Sequence, residues 1–383
     1  MVKVSITHSV LKWARETSNM TIDEVAQKMG KKSEIIRSWE EGIEKPTYIQ
    51  LEKLAYQIYK RPIAIFFFPE APAIKDPKKE FRTFPDFEYE NIPYTVMRIF
   101  RKAQAMQLNL DELYDGNNPA EEMILKSISI SEDVEIDHLI NEVRDLLDVN
   151  LDEQLEWGDA ILALKHWRET FENNGIFVFK DAFNYDKISG FCLYNKEFPI
   201  IYLNNSMPET RQIFTLFHEL AHLIFGVGGI DTLDDRFLGR LSPGDKQIEV
   251  FCNEFAGKFL VPDNHFDSQI YGCEINEEVI SSLAKRYSVS REVILRKLLD
   301  RNIIDRRFYQ EKAEEWIEIA KESRRRGGGG NYYYKKISYL GNQYLNKVLE
   351  KYYTKKIDVH QVSDYLDIKI NKIPTLEAYY MGG

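Results

Sequence analysis

Cysteine is scarce: three occur in 383 residues, at 192, 252 and 273, with no Cys-x-x-Cys pair. That argues against a disulfide scaffold and a thiolate zinc finger, and fits a reducing compartment. No apolar run approaches the roughly 18 residues that span a bilayer. The opening residues MVKVSITHSVLKWARE lack the apolar core and small-residue cleavage site of a signal peptide. The expectation is a soluble, cytoplasmic protein with no membrane partner. Excess positive charge is missing as well. With 51 Lys and Arg against 61 Asp and Glu the net charge is −10, which excludes a generally basic nucleic-acid coat but not a local basic face. What is present is apolar material, 44% hydrophobic and 13% aromatic, enough for a large core and too much for wholesale disorder. At roughly 100–200 residues per domain the length predicts two or three domains.

The first 70 residues read as short helices over 9–17, 21–29, 33–41 and 47–60. Thr21 and Ser33 are the expected N-caps, Glu24 completes a capping box with Thr21, and Gly30 and Gly42 are the stops. Prolines 69, 72, 77 and 85 mark an extended connector. Residues 93–172 carry helical periodicity. From Gly175 the runs GIFVFKDAF, ISGFCLYN and FPIIYLNNS are β-branched and aromatic between polar turns, which predicts three neighbouring strands. Helical spacing resumes at Glu209 and continues to Ser323. Arg324 to Gly330 reads as a hinge, because four successive glycines do not hold a helix. The expected architecture is α+β and mostly helical, divided as 1–70, 71–92 (linker), 93–172, 173–265 (the sheet-containing core), 266–323, 324–330 (hinge) and 331–383.

His218-Glu219-Leu220-Ala221-His222 is an HExxH motif within RQIFTLFHELAHLIFG. Ile213, Phe214, Phe217, Leu220, Ala221 and Ile224 form an apolar stripe at helical spacing. Side chains four apart on a helix lie one turn above each other, so both imidazoles can reach one cation about 2.1 Å away. Glu219, offset by one position, suits a general base. The competing reading is a pair of half-buried structural histidines. A catalytic zinc needs a third protein ligand and one open position. Glu249, in IEVFCNEFAGKFLVP, shares a helix face with residues 252, 253, 256 and 260. Glu254 is its rival on another side of that helix, and His265 lies beyond Pro262. Tyr202 and His265 are the candidates for a substrate or oxyanion contact, against their readings as a packed tyrosine and a surface histidine. The strand from Phe198 to Asn204 is expected to pair with an extended substrate at the sheet edge.

HELAH, the preceding RxxFTLxHE and the following ExxxNEFAxxFLxP resemble the ImmA/IrrE metallopeptidase family over about residues 155–265. The resemblance implies a zincin-like metallopeptidase domain with a small mixed sheet. It implies Glu249 as the third ligand of a divalent metal beside His218 and His222, with Glu219 catalytic. Zn2+ is the expected ion and Mn2+ its alternative. Cys252 stands where the family usually has alanine, a small-for-small change.

TIDEVAQKMGKKSEIIRSWEEGIEKPTYIQLEKLA resembles the Xre/Cro-type helix-turn-helix, the lambda-repressor-like fold, through Ala26, Gly30, Ile36, Trp39, Glu40 and Gly42. Such modules place the third helix in the major groove. That puts Lys31, Lys32, Ser33, Glu34 and Arg37 near DNA, and Lys45 near phosphate. Charge argues the other way: residues 1–70 hold 11 Lys and Arg against 9 Asp and Glu, a balance of only +2. Ile36 and Trp39 read as core. Residues 276–304 repeat a helix-turn-helix rhythm with basic residues, expected to serve partner binding or structural support. The tyrosines at 332–334 and 379–380 are assigned no role.

The expected function is a metal-dependent endopeptidase that is also a DNA-binding transcriptional regulator, with DNA bound through residues 1–70 and homodimerisation expected. Its substrate would be a repressor-like or antitoxin protein, or the chain itself at the hinge. The genes that the family resemblance implies are those of mobile elements, toxin–antitoxin pairs or stress. The alternative is a non-proteolytic DNA- or protein-binding regulator with a structural or sensory metal site.

Overall fold

The computed structural model describes residues 4–18, 20–59, 61, 63–71, 92–128, 135–232, 241–326 and 330–382. The Pro-rich connector lies largely outside these residues, as do glycines 327–329 of the hinge. The chain forms two compact units, one up to residue 102 and the other essentially from 103 onward.

The first unit contains α1 (His8–Glu16), α2 (Ile22–Met29), α3 (Ser33–Glu40) and α4 (Tyr48–Glu52), the last continued by a π-helix over Lys53–Tyr59. The Thr21 hydroxyl accepts the Glu24 N–H, and the Glu24 carboxylate accepts the Thr21 N–H, so the capping box forms as spelled. Gly30 closes α2 in the left-handed region at φ +66°, and the Lys31 N–H reaches back to the Ala26 carbonyl. This closure moves the next cap one residue earlier than the sequence suggested. Lys32 is the N-cap of α3, and Ser33 is its first helical residue, its hydroxyl donating to Asp23. Val10, Leu11, Val25, Ala26, Ile36, Trp39, Leu51 and Leu54 form the core. Beside it the buried Glu40 carboxylate accepts two hydrogen bonds from Arg15, at 2.8 and 3.0 Å.

Helix α5 (Tyr94–Leu113) carries residues of both units. In the second unit follow α6 (Ile124–Ser127), α7 (Ile136–Leu147), α8 (Leu151–Glu156) and α9 (Ala160–Asn173). Then come β1 (Phe177–Asp181), β2 (Ile188–Leu193), β3 (Ile200–Asn204), α10 (Glu209–Ile224), β4 (Ile230–Thr232) and α11 (Pro243–Leu260). The strands form one mixed sheet in the order β1-β3-β2-β4. β1 runs parallel to β3, and β2 runs antiparallel to both β3 and β4. The expected three strands are therefore joined by a fourth, whose three residues are too short to show an alternating pattern.

β3 lies between β1 and β2 with both of its ladders filled, so it offers no edge to a substrate strand. This corrects the expectation placed on Phe198 to Asn204. β1 and β4 are the outer strands instead. Alternation sends Val178, Cys192, Ile201 and Leu203 into one core with Ile213, Phe217, Leu220 and Ala221 of α10. At Gly190 that helix comes so close that a Cβ would lie 2.5 Å from the Thr215 methyl. Phe177, Phe179 and Tyr202 take the other face.

After α11 come α12 (Asp263–Ile270), α13 (Glu277–Tyr287), α14 (Arg291–Asp300) and α15 (Arg306–Arg326). The basic residues here are engaged within the fold. Asp263 accepts from Lys297 at 2.8 Å and from Arg301 at 2.7 Å, and Arg286 donates to Gln269 at 2.7 Å. The chain closes with α16 (Tyr332–Leu340), α17 (Asn342–Tyr353), α18 (Val359–Leu366) and α19 (Ile373–Met381). Tyr344 of α17 meets Phe179 edge-on at 5.4 Å and donates to the Tyr365 carbonyl at 3.1 Å. The Arg168 guanidinium donates to carbonyls of both Val178 and Ser338, tying this segment to β1. No helix among the described residues is long and apolar enough to cross a membrane.

Candidate metal centre

α10 follows Pro208, carries Glu209 in its first turn and is buried from Thr215 through Leu223. Phe217 packs edge-on against Trp167 at 4.7 Å and stacks on Phe259 of α11 at 4.3 Å. Each such aromatic contact adds about 0.5–1.5 kcal/mol beyond its area burial. This packing lays α11 along α10. Ser242 caps α11 by accepting the Asp245 N–H, so the helix begins six residues before Glu249. Glu249 thus sits in its second turn and is 3% exposed; Glu254 points elsewhere and pairs with Lys258 at 3.1 Å.

His218, His222 and Glu249 converge. The two histidine Nε2 atoms are 3.1 Å apart, His218 Nε2 lies 3.4 Å from Glu249 Oε2, and His222 Nε2 lies 3.3 Å from Glu249 Oε1. Donors about 2.1 Å from a tetrahedrally held ion are separated by about 3.4 Å. Among the described residues this is the group that could hold a metal ion. Its donor set, two imidazoles and a carboxylate, suits a divalent metal ion.

Glu219 is fully buried; neither carboxylate oxygen has a close hydrogen-bond partner, and the buried Cys192 thiol is the polar group that faces it. Burial, reinforced by Asp231 and Glu249, pushes its pKa up to about 8. For Glu249 burial acts in the same direction, but His222 and His218 outweigh it and hold the carboxyl well below its ordinary range. Burial opposes the charged form of His218, yet Asp231 and Glu249 outweigh that and raise its pKa.

Several residues near the site escaped the sequence reading. Asp231 of β4, 2% exposed, accepts from Thr215 at 2.7 Å and from Arg211 at 2.6 Å, while Arg211 also donates to Ser189 at 3.0 Å. Cys192 Sγ accepts the Gly229 N–H at 3.2 Å. The only signal for these groups was the Gly-Gly-Ile-Asp that follows the motif helix.

Tyr202 is removed from this chemistry. It stacks on Phe191 at 5.4 Å and faces Phe179, and the alternation of Ile201 and Leu203 toward α10 puts its ring on the opposite side of the sheet. His265 sits on α12 with Nδ1 2.7 Å from the Tyr287 hydroxyl. In the first unit Lys31, Lys32, Glu34 and Arg37 are exposed around the start of α3, and Ser33 is half-buried. Lys45 is exposed and donates to Ser5 at 3.3 Å.

A buried HExxH helix crossed by a second helix that brings a carboxylate defines the class: a metallopeptidase-like centre beside a small mixed sheet. Residues 171–299 match the peptidase family model described as the IrrE N-terminal-like domain, and residues 11–55 match a helix-turn-helix model. Over 111 residues the chain is 32% identical to the radiation response metalloprotease IrrE of Deinococcus deserti, an alignment spanning 28% of this chain and 38% of that relative. The chain thus joins a helix-turn-helix to an IrrE N-terminal-like domain.

Proposed function

We propose that the chain is a metal-dependent endopeptidase fused to a DNA-binding module. It acts as a transcriptional regulator that cleaves a repressor-like or antitoxin-like protein, or its own Arg/Gly segment. The observation that carries this reading is the pairing of three convergent donors with a buried, unpartnered Glu219. His218, His222 and Glu249 are the ligands, with Zn2+ as the ion and Mn2+ as the alternative. A cation held there supplies Lewis-acid activation of water and of the scissile carbonyl. Glu219 takes the proton of the attacking water and returns it to the leaving amine. A pKa raised by burial suits that exchange at neutral pH. Lys31, Lys32, Ser33, Glu34 and Arg37 at the start of α3 face base edges, and Lys45 contacts phosphate.

The second reading is a regulator whose metal site is structural. It is favoured by how deeply the donors lie, with His222 fully buried and Glu249 3% exposed. Glu219 argues against it, because a structural site has no use for an unpaired carboxylate beside its ligands. The two separate by metal analysis of the full chain, together with a proteolysis assay against proteins encoded by neighbouring genes. Cleavage that disappears in Glu219→Gln, with metal retained, supports the peptidase. Full metal loading with no cleavage of any such protein, nor of the chain itself, supports the structural site.

A further inference from the structure

The return of the chain from α10 to β4 is anchored at three points around His222. Gly226 ends the helix in the left-handed region at φ +68°, and the Val227 N–H bonds back to the His222 carbonyl at 3.2 Å. Cys192 on β2 then grips the next residues. Its N–H donates to the Gly229 carbonyl at 3.0 Å, and its Sγ accepts the Gly229 N–H at 3.2 Å. Asp231 fastens the following strand to α10 through Thr215 and Arg211.

Between these anchors the backbone of Gly229 lies flat against the His222 imidazole. A Cβ at 229 would overlap ring atoms Cδ2 and Cγ and fall 2.9 Å from Nδ1. A ligating imidazole usually takes its orientation from a hydrogen bond at its second nitrogen. Here that nitrogen, Nδ1 of His222, is buried without a partner. Contact with the Gly229 backbone therefore limits rotation of the ring in place of a hydrogen bond.

We infer that Gly229 is a positioning residue for the metal centre and that the Cys192 thiol sets how closely its backbone lies on His222, a role that presupposes the centre proposed above. The test uses the full chain, titrated with Co2+, whose visible absorption reports ligand geometry, and with Zn2+ in competition. Gly229→Ala is expected to bind about 10–100-fold more weakly, the range found when support behind a ligand is removed, and to shift the Co2+ bands. Gly257→Ala, in α11 where a Cβ meets nothing within 4 Å, is the control and should retain both.

A folded Gly229→Ala with wild-type affinity and spectrum overturns the inference. If Gly229→Ala does not fold, the Cys192 variants decide: weaker binding in Cys192→Ala with recovery in Cys192→Ser supports it, and wild-type binding in Cys192→Ala overturns it. Wild-type protein that binds neither ion stoichiometrically defeats the metal centre itself, an outcome distinct from normal wild-type binding that Gly229→Ala leaves unchanged.

Discussion

Helices α3 and α10 each carry a candidate functional region, yet they treat polar side chains in opposite ways. On α3 Glu34 and Arg37 face solvent, and the one buried acid, Glu40, is saturated by Arg15. On α10 His218, Glu219 and His222 are at most 1% exposed, and both Nδ1 atoms and both Glu219 oxygens lack partners. Leaving a buried polar group unpaired costs about 1–3 kcal/mol. Several such costs gathered at one point mark a candidate ligand site rather than a stabilising core. The surface helix shows no such concession.

The contrast makes the two regions separable, and the variant with the largest expected effect acts on the second unit alone. Glu219→Gln should slow peptide cleavage by about 10²–10⁴-fold, the range for loss of a general base, while metal content and DNA binding stay at wild-type levels. Parallel loss of metal would show that Glu219 is part of the ligand set and would blur the comparison. The converse variant is Glu40→Gln, which takes the buried carboxylate away from half-buried Arg15 and leaves it the Met20 carbonyl and exposed Glu16. It should destabilise the first unit by about 1–3 kcal/mol in denaturant unfolding, with Zn2+ affinity unaltered.

Lys180 on β1 extends the comparison to pH. Burial, with Arg168 nearby, lowers its pKa from 10.5 to about 7. Below pH 7 the amine is charged in both folded and unfolded chains and the full desolvation cost applies; above 10.5 it is neutral in both. Stability should therefore rise with pH between these values, by on the order of 5 kcal/mol relative to Lys180→Met. Unfolding curves of the two proteins with equal pH dependence would contradict this. The smallest effect is expected at the surface. Lys45→Ala should weaken duplex DNA binding by about tenfold and flatten the salt dependence by about one charge, with cleavage untouched.

Much of the metal centre was legible because its geometry is local. Histidines four apart on one helix must share a face, and the apolar stripe of Ile213, Phe217 and Leu220 says which way that helix rolls. Glu249 was harder. Its helix face nominated it, but Glu254 could be set aside only once α11 lay along α10. The capping box at Thr21 was readable for the same local reason, whereas Ser33 as a cap was misplaced because the closure of α2 at Gly30 shifted the start of α3. Tyr202 failed as a candidate because strand alternation tells which residues share a face, not which face meets the motif helix.

Local spacing in the chain by itself determined the helix-turn-helix, the paired imidazoles and the position of Glu219 beside them, since helical periodicity acts within a few residues. Long-range packing decided the rest. It placed β3 in the middle of the sheet, added the three-residue β4, and brought Cys192, Gly229 and Asp231 around His222 and Thr215 from separate stretches of sequence. Such contacts depend on how strands and helices stack, which no short window of residues encodes.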